Sequence, residues 1–165
     1  MSGKEDVFLE EARLGQRTQV LVDCEEIPHI PRLARRFREY TLVDLAHAVM
    51  LTEAGVLKEE RGAVLLRGLL EMFEKGKDSF PWLPQSGSFL VQTEYFLGER
   101  VGDDIAGRLQ TGRSRNDQSA AAERLYLRDL LISIAKQTIL LQNAILNQAA
   151  KHAESLMPGY THLQH

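Results

Sequence analysis

Two short segments of this chain concentrate side chains able to do chemistry. The first is Thr111-Gly112-Arg113-Ser114-Arg115-Asn116-Asp117-Gln118. Arg113 and Arg115 each carry a planar fork of N–H donors suited to a carboxylate. Thr111, Ser114 and Asn116 add hydroxyl and amide groups, and Gly112 frees the backbone between them. A helix beginning here would contribute unpaired N–H groups and the positive end of its dipole. The chemistry implied is the holding of a small anion, a carboxylate first of all. The same residues also suit an ordinary helix start, with Ser114 or Asn116 as the cap and Asp117 favourable in the first turn. The second segment is Pro158-Gly159-Tyr160-Thr161-His162-Leu163-Gln164. His162 is the one side chain in it that can exchange a proton near neutral pH. A loop that merely ends a helix is the alternative reading.

The elements that must position these segments are helical. Between Arg115 and Leu156 there is no Gly or Pro, and Leu127, Leu130, Leu131, Ile134, Leu141 and Ile145 keep a helical period. About 40 residues at ~1.5 Å each give a rod on the order of 60 Å long. The two segments are then expected at opposite ends of one rod, able to share a site only if neighbouring chains pack antiparallel. Such a rod depends on packing for its stability, so the rest of a bundle is expected in further sequence or in other subunits.

Upstream, the apolar spacing predicts helices over Thr41–Glu53, from Lys58 onward, and from Ser88 to Gly98 or Gly102. Gly55 is the expected C-cap of the first, and the loop Asp78–Gly87 separates the last two. Gln19–Val22 reads as a short extended piece. The expected class is all-α: an N-terminal helical domain over residues 1–110 and the incomplete start of a long-helix bundle over 111–165.

Composition narrows the function. Charged residues are 26% and hydrophobic ones 44%, as in a folded chain, and the net charge of −3 gives no electrostatic case for nucleic acid. Cys24 is the only cysteine, so no internal disulfide is possible. No window approaches the ~20 apolar residues of a bilayer span, and Met1 to Asp6 runs straight into charge with no apolar signal core; the expected location is the cytoplasm. No His/Cys/Asp group has metal-ligand spacing. His29 reads as a loop residue, His47 as a helix-surface or boundary residue, and Arg32, Arg35, Arg36 and Arg38 as a solvated helix face. Trp82 reads as a buried anchor for its proline-rich loop. The stop at His165, inside a polar loop, suggests a fragment or a truncated product.

The two segments together resemble the argininosuccinate lyases of the aspartase/fumarase superfamily. The family's G-x-L-H-T-G-R-S-R-N-D-Q run is matched by Gly107 to Gln118, and its P-G-Y-T-H-L-Q run in full by Pro158 to Gln164. Thr52 to Leu57 resembles the family's E-A-G-I-L. Similarity spans most of Arg36 to His165 and is strong in the two motifs. The resemblance implies a carbon–nitrogen lyase that splits argininosuccinate into arginine and fumarate, without a cofactor or metal. It implies a homotetramer with composite sites, while charge and hydropathy speak against nucleic acid and membrane as partners. It implies that Ser114, Arg115, Asn116 and Gln164 bind the dicarboxylate half of the substrate, with Thr161 and His162 in catalytic roles, His162 as the acid–base group. The family's base is a serine in a later glycine-rich loop, which lies beyond these 165 residues. A fragment of this extent is therefore expected to be inactive by itself.

Some positions depart from the family pattern. Aligning the glutamate of its D-I-H-x-x-x-E run with Glu94 puts Leu90 at the histidine and Ser88 at the acid, and Gln110 stands for the histidine of the first motif. The family's W-G-G-R-F start is at most echoed by Ala12 to Gly15. Leucine cannot do a histidine's polar work, so the fumarate side reads as intact and the amine side as altered. Two alternatives follow: a related lyase with a different amine product, and a non-catalytic scaffold of the lens-crystallin kind.

Overall fold

A computed structural model describes residues 18–84 and 88–164 of the chain. Two features read from the sequence, the Ala12–Gly15 echo and the Gly87 end of the loop, lie outside the described residues. Helix α1 (Gln19–Leu21) opens with Thr18 as its cap and passes through a π-helical turn, Val22–Glu26, into α2 (Ile27–Arg35). The stretch Gln19–Val22 is thus helical and not extended, and His29 lies in α2 and not in a loop. Pro28 accounts for the wide turn: its ring crowds the carbonyl four residues back and offers no N–H, so the chain loosens before it.

Arg36, with φ −110° and ψ 15°, breaks the helical path, and α3 begins at once over Phe37–Glu53. It starts four residues ahead of the periodicity because Phe37 and Tyr40 are already buried. Gly55 adopts φ +69°, a conformation that costs glycine little, and the Leu57 N–H returns to the Leu51 carbonyl at 2.9 Å. Helix α4 (Glu59–Lys75) follows, with Leu65, Leu69 and Met72 fully buried along one stripe. After the loop, α5 (Phe89–Val101) runs to Gly102, then α6 (Asp103–Ala106) and a 3-10 turn, Gly107–Gln110.

The core sits among α3, α4 and α5. Phe37, Phe80, Trp82 and Phe89 meet edge-on or stacked with centroids 4.9–6.4 Å apart. Trp82 is half-buried in this cluster and donates from Nε1 to the Lys77 carbonyl at 3.0 Å, which makes it the expected loop anchor. Arg36 leaves the solvated face expected for the basic run and pairs with Glu123.

Helix α7 covers Arg115–Lys151, 37 residues without a break. It ends five residues ahead of Leu156, where His152 Nδ1 and Ser155 Oγ approach to 3.2 Å and local bonds compete with the helical ladder. Its side chains Leu127, Leu131, Ile134, Leu141 and Ile145 are between 43% and 63% exposed, so the apolar stripe is real and uncovered in this chain. Residues 18–126 form one compact unit and 127–164 a second. Among the described residues there is no strand, only an isolated bridge between Thr161 and Gln164. No described helix is long and apolar enough to cross a membrane.

Candidate active site

The first motif is built as a loop closed against the domain and a helix that leaves it. The Thr111 hydroxyl donates to the Arg108 carbonyl at 2.7 Å, and Gly112 takes φ +74°, which turns the chain toward α7. Ser114 then caps the helix reciprocally: its Oγ accepts from the Asn116 N–H at 3.1 Å, while Asp117 Oδ2 accepts from the Ser114 N–H at 2.7 Å. Those bonds hold the Asp117 carboxyl below its ordinary value. The capping reading is therefore correct as local structure. It does not compete with the anion reading: in the cap Ser114 Oγ only accepts and keeps its own hydrogen to donate, and the Arg115 and Asn116 side chains stay exposed, with no hydrogen bond among the described residues. Arg115 lines a cavity of about 180 Å³ together with His29, Tyr40, Ser88 and Gln118.

Arg113 behaves differently from the expectation of a second substrate fork. Its side chain is only 6% exposed and pairs with Asp44 of α3, which is fully buried. Its Nε donates to Gln110 Oε1 at 3.0 Å, and Gln118 Nε2 donates to the same Asp44 Oδ1 at 2.7 Å. Burial has turned this guanidinium inward, since an ion pair formed away from water is worth keeping only when its partners are close. Gln110, a departure from the family pattern, thus accepts a hydrogen bond from Arg113. Burial pushes the Asp44 carboxyl above its ordinary value, against the opposing pull of Arg113 and Gln118. Glu94 of α5 is raised to about 7 by burial and by Asp44, with Arg113 opposing. His47 meets the Thr111 carbonyl at 3.0 Å, and burial followed by the Arg113 charge lowers its pKa against that bond.

Asp44 and Gln118 were missed by sequence reasoning. An acid inside the apolar run Thr41 to Met50 is the signal that could have pointed to Asp44, although a single acid on a helix more often faces water. In the second motif, Thr161 N–H donates to the Gln164 carbonyl at 3.1 Å and Gln164 N–H to the Thr161 carbonyl at 3.0 Å. The turn places His162 at φ 52° and Leu163 at φ 62°, left-handed positions that non-glycine residues occupy at a cost. Thr161, His162 and Gln164 are exposed, and no group of three or more His, Cys, Asp or Glu able to hold a metal occurs among the described residues.

The chain is 41% identical over 129 residues to an argininosuccinate lyase of Methanocaldococcus jannaschii, covering 78% of this chain and 27% of that protein. It is 41% identical over 129 residues to one of Methanosarcina mazei, at 78% and 26% coverage, and 42% identical over 123 residues to one of Methanosarcina barkeri, at 74% and 25%. The chain thus spans about a quarter of the length of the curated relatives it matches. A family model described as Lyase matches residues 31–165, which include both motifs and the whole of the Asp44–Arg113 cluster, and the chain belongs to that lyase family.

Proposed function

We propose that this chain is the N-terminal part of a carbon–nitrogen lyase that splits argininosuccinate into arginine and fumarate. The observation that carries the reading is the start of α7, where Ser114, Arg115 and Asn116 stand exposed together on a loop tied down from behind. There the helix dipole and the Arg115 fork favour a carboxylate, and Thr161 and Gln164 add contacts to it from a neighbouring copy. In the reaction, a base removes the proton from the carbon next to a carboxylate. The electron pair delocalises into that carboxylate as an aci-carboxylate, then forms the carbon–carbon double bond as the C–N bond breaks. The departing nitrogen keeps the C–N pair and takes a proton. Donors aimed at the aci-carboxylate lower this barrier because they bind the developing charge more strongly than the substrate. His162 is the acid–base group, and the serine base belongs to the larger part of the protein that lies outside this chain.

The assembly we propose is a cytoplasmic homotetramer with composite sites, which brings one copy's first motif to another's second. The bundle domain begins at residue 111 in this reading, after an N-terminal domain over 1–110. The substrate is a small dicarboxylate, with no cofactor. Leu90 in place of the family's histidine favours one second reading, the same chemistry on a different amine. The test is to supply the complete polypeptide carrying this chain with argininosuccinate and, separately, with adenylosuccinate and aspartate, following fumarate by its ultraviolet absorbance. Release from argininosuccinate alone supports the first reading, release from another amine only supports the second, and release from none refutes both.

A further inference from the structure

The buried cluster behind the first motif joins Asp44, Gln110, Arg113 and Gln118. Four of its polar atoms, Asp44 Oδ2, Gln118 Oε1, Gln110 Nε2 and Arg113 Nη1, are buried without a partner among the described residues. Buried polar groups left open destabilise a fold, and a well-packed apolar cluster of the same shape is often as stable as a buried ion pair. What the cluster does achieve is mechanical. Asp44 sits on α3, Gln118 in the first turns of α7, and Arg113 in the loop between Gly112 and Ser114. One carboxylate oxygen therefore ties both sides of Ser114 to a helix of the core. His47, one turn along α3 from Asp44, fastens the Thr111 carbonyl of the same loop.

We propose that Asp44 is a positioning residue for the anion-binding edge, holding Arg113 and Gln118 so that Ser114, Arg115 and Asn116 keep one geometry. The inference rests on the reading of that edge as the carboxylate site. Arg113 then acts as a tether, and Arg115 alone of the motif's two arginines meets the substrate. A misplacement of about 1 Å at such a site can cost on the order of a hundredfold in rate.

The test uses the complete protein and reads loop order independently of activity, by hydrogen exchange of the amides of residues 111–116. In Asp44→Asn these amides exchange at least tenfold faster, while those of Leu65 to Met72 in α4 keep their protection, and kcat/KM falls at least tenfold. The swap Asp44→Asn with Gln118→Glu returns a carboxylate to Arg113 from the adjacent side chain and restores exchange to within threefold of the parent. If Asp44→Asn does not fold, Arg113→Lys, which keeps the charge and loses the fork, accelerates exchange of the same amides threefold or more. Unchanged exchange at 111–116, loss of protection spread equally over α4, or a swap without rescue overturns the proposal. Local loosening and rescue in a protein whose Arg115→Lys variant keeps full activity leaves the tether standing and removes the substrate reading of the edge instead.

Discussion

Replacing Glu94 with glutamine tests whether the cluster behind the motif has the electrostatics described. The Glu94 carboxyl stands at about 7 in the fold against an ordinary value of 4.5, burial being the main cause and Asp44 the second. The folded protein therefore keeps a proton that the unfolded chain has released once the pH passes 4.5. Stability falls as pH rises from 4.5 to 7 and stays lowered above it. At about 1.36 kcal/mol per pH unit, the gap between 4.5 and about 7 corresponds to a ceiling of ~3.4 kcal/mol. Glu94 is only half-buried, so solvent screening reduces the expected effect to roughly 1–2 kcal/mol. Glutamine has the shape of the protonated acid and cannot titrate. Glu94→Gln is expected to be near neutral at pH 4 and to stabilise by roughly 1–2 kcal/mol at pH 8, which moves a urea midpoint upward by about 0.5–1 M. Urea titrations of parent and variant at both pH values decide it. An equal shift at pH 4 and pH 8, or a destabilised variant at pH 8, would refute the assigned environment.

Two further expectations concern packing. Phe96 is 1% exposed, stacks on Phe80 at 5.3 Å and carries the Arg100 guanidinium over its ring, so Phe96→Ala should cost about 3–5 kcal/mol in thermal or chemical denaturation; a loss under 1 kcal/mol would contradict the core described. Leu131 and Ile145 are 63% and 60% exposed on α7, and patches of this kind mark interfaces. Placing glutamate at both should lower the assembled mass seen by sedimentation, and an unchanged oligomer would show that another surface holds the copies together.

The parts of this protein that were legible in the sequence are those fixed by local rules. The Gly- and Pro-free run announced α7, and Gly55 and Gly102 closed helices where glycine was needed. Ser114 is one of the two caps that the residue types allow, with Asp117 suited to the first turn, and the structure uses both. What failed to show depends on contacts across sequence. Arg113 and Arg115 are two residues apart and look equivalent as text, yet one meets Asp44, 69 residues away, and the other faces solvent. The bond from Arg113 to Gln110 is likewise hidden in the text, because the fold and not the spacing selects that pair. The helical form of Gln19–Val22 was hidden by its β-branched valines, whose weak local preference gives way to a continuous helical path into α2.

The central claim is that the exposed edge Ser114–Arg115–Asn116 holds a carboxylate whose charge grows in the transition state, with His162 exchanging the proton. The most direct measurement is the pH–rate profile of fumarate release by the complete protein and by its Arg115→Lys and His162→Asn variants. Lysine keeps the charge and loses the bidentate fork, so turnover should fall by more than substrate affinity does. Asparagine stays polar and cannot titrate, so His162→Asn should lower turnover and remove one limb of the profile. Near-full turnover in Arg115→Lys together with an unchanged profile in His162→Asn would mean that both motifs are structural caps.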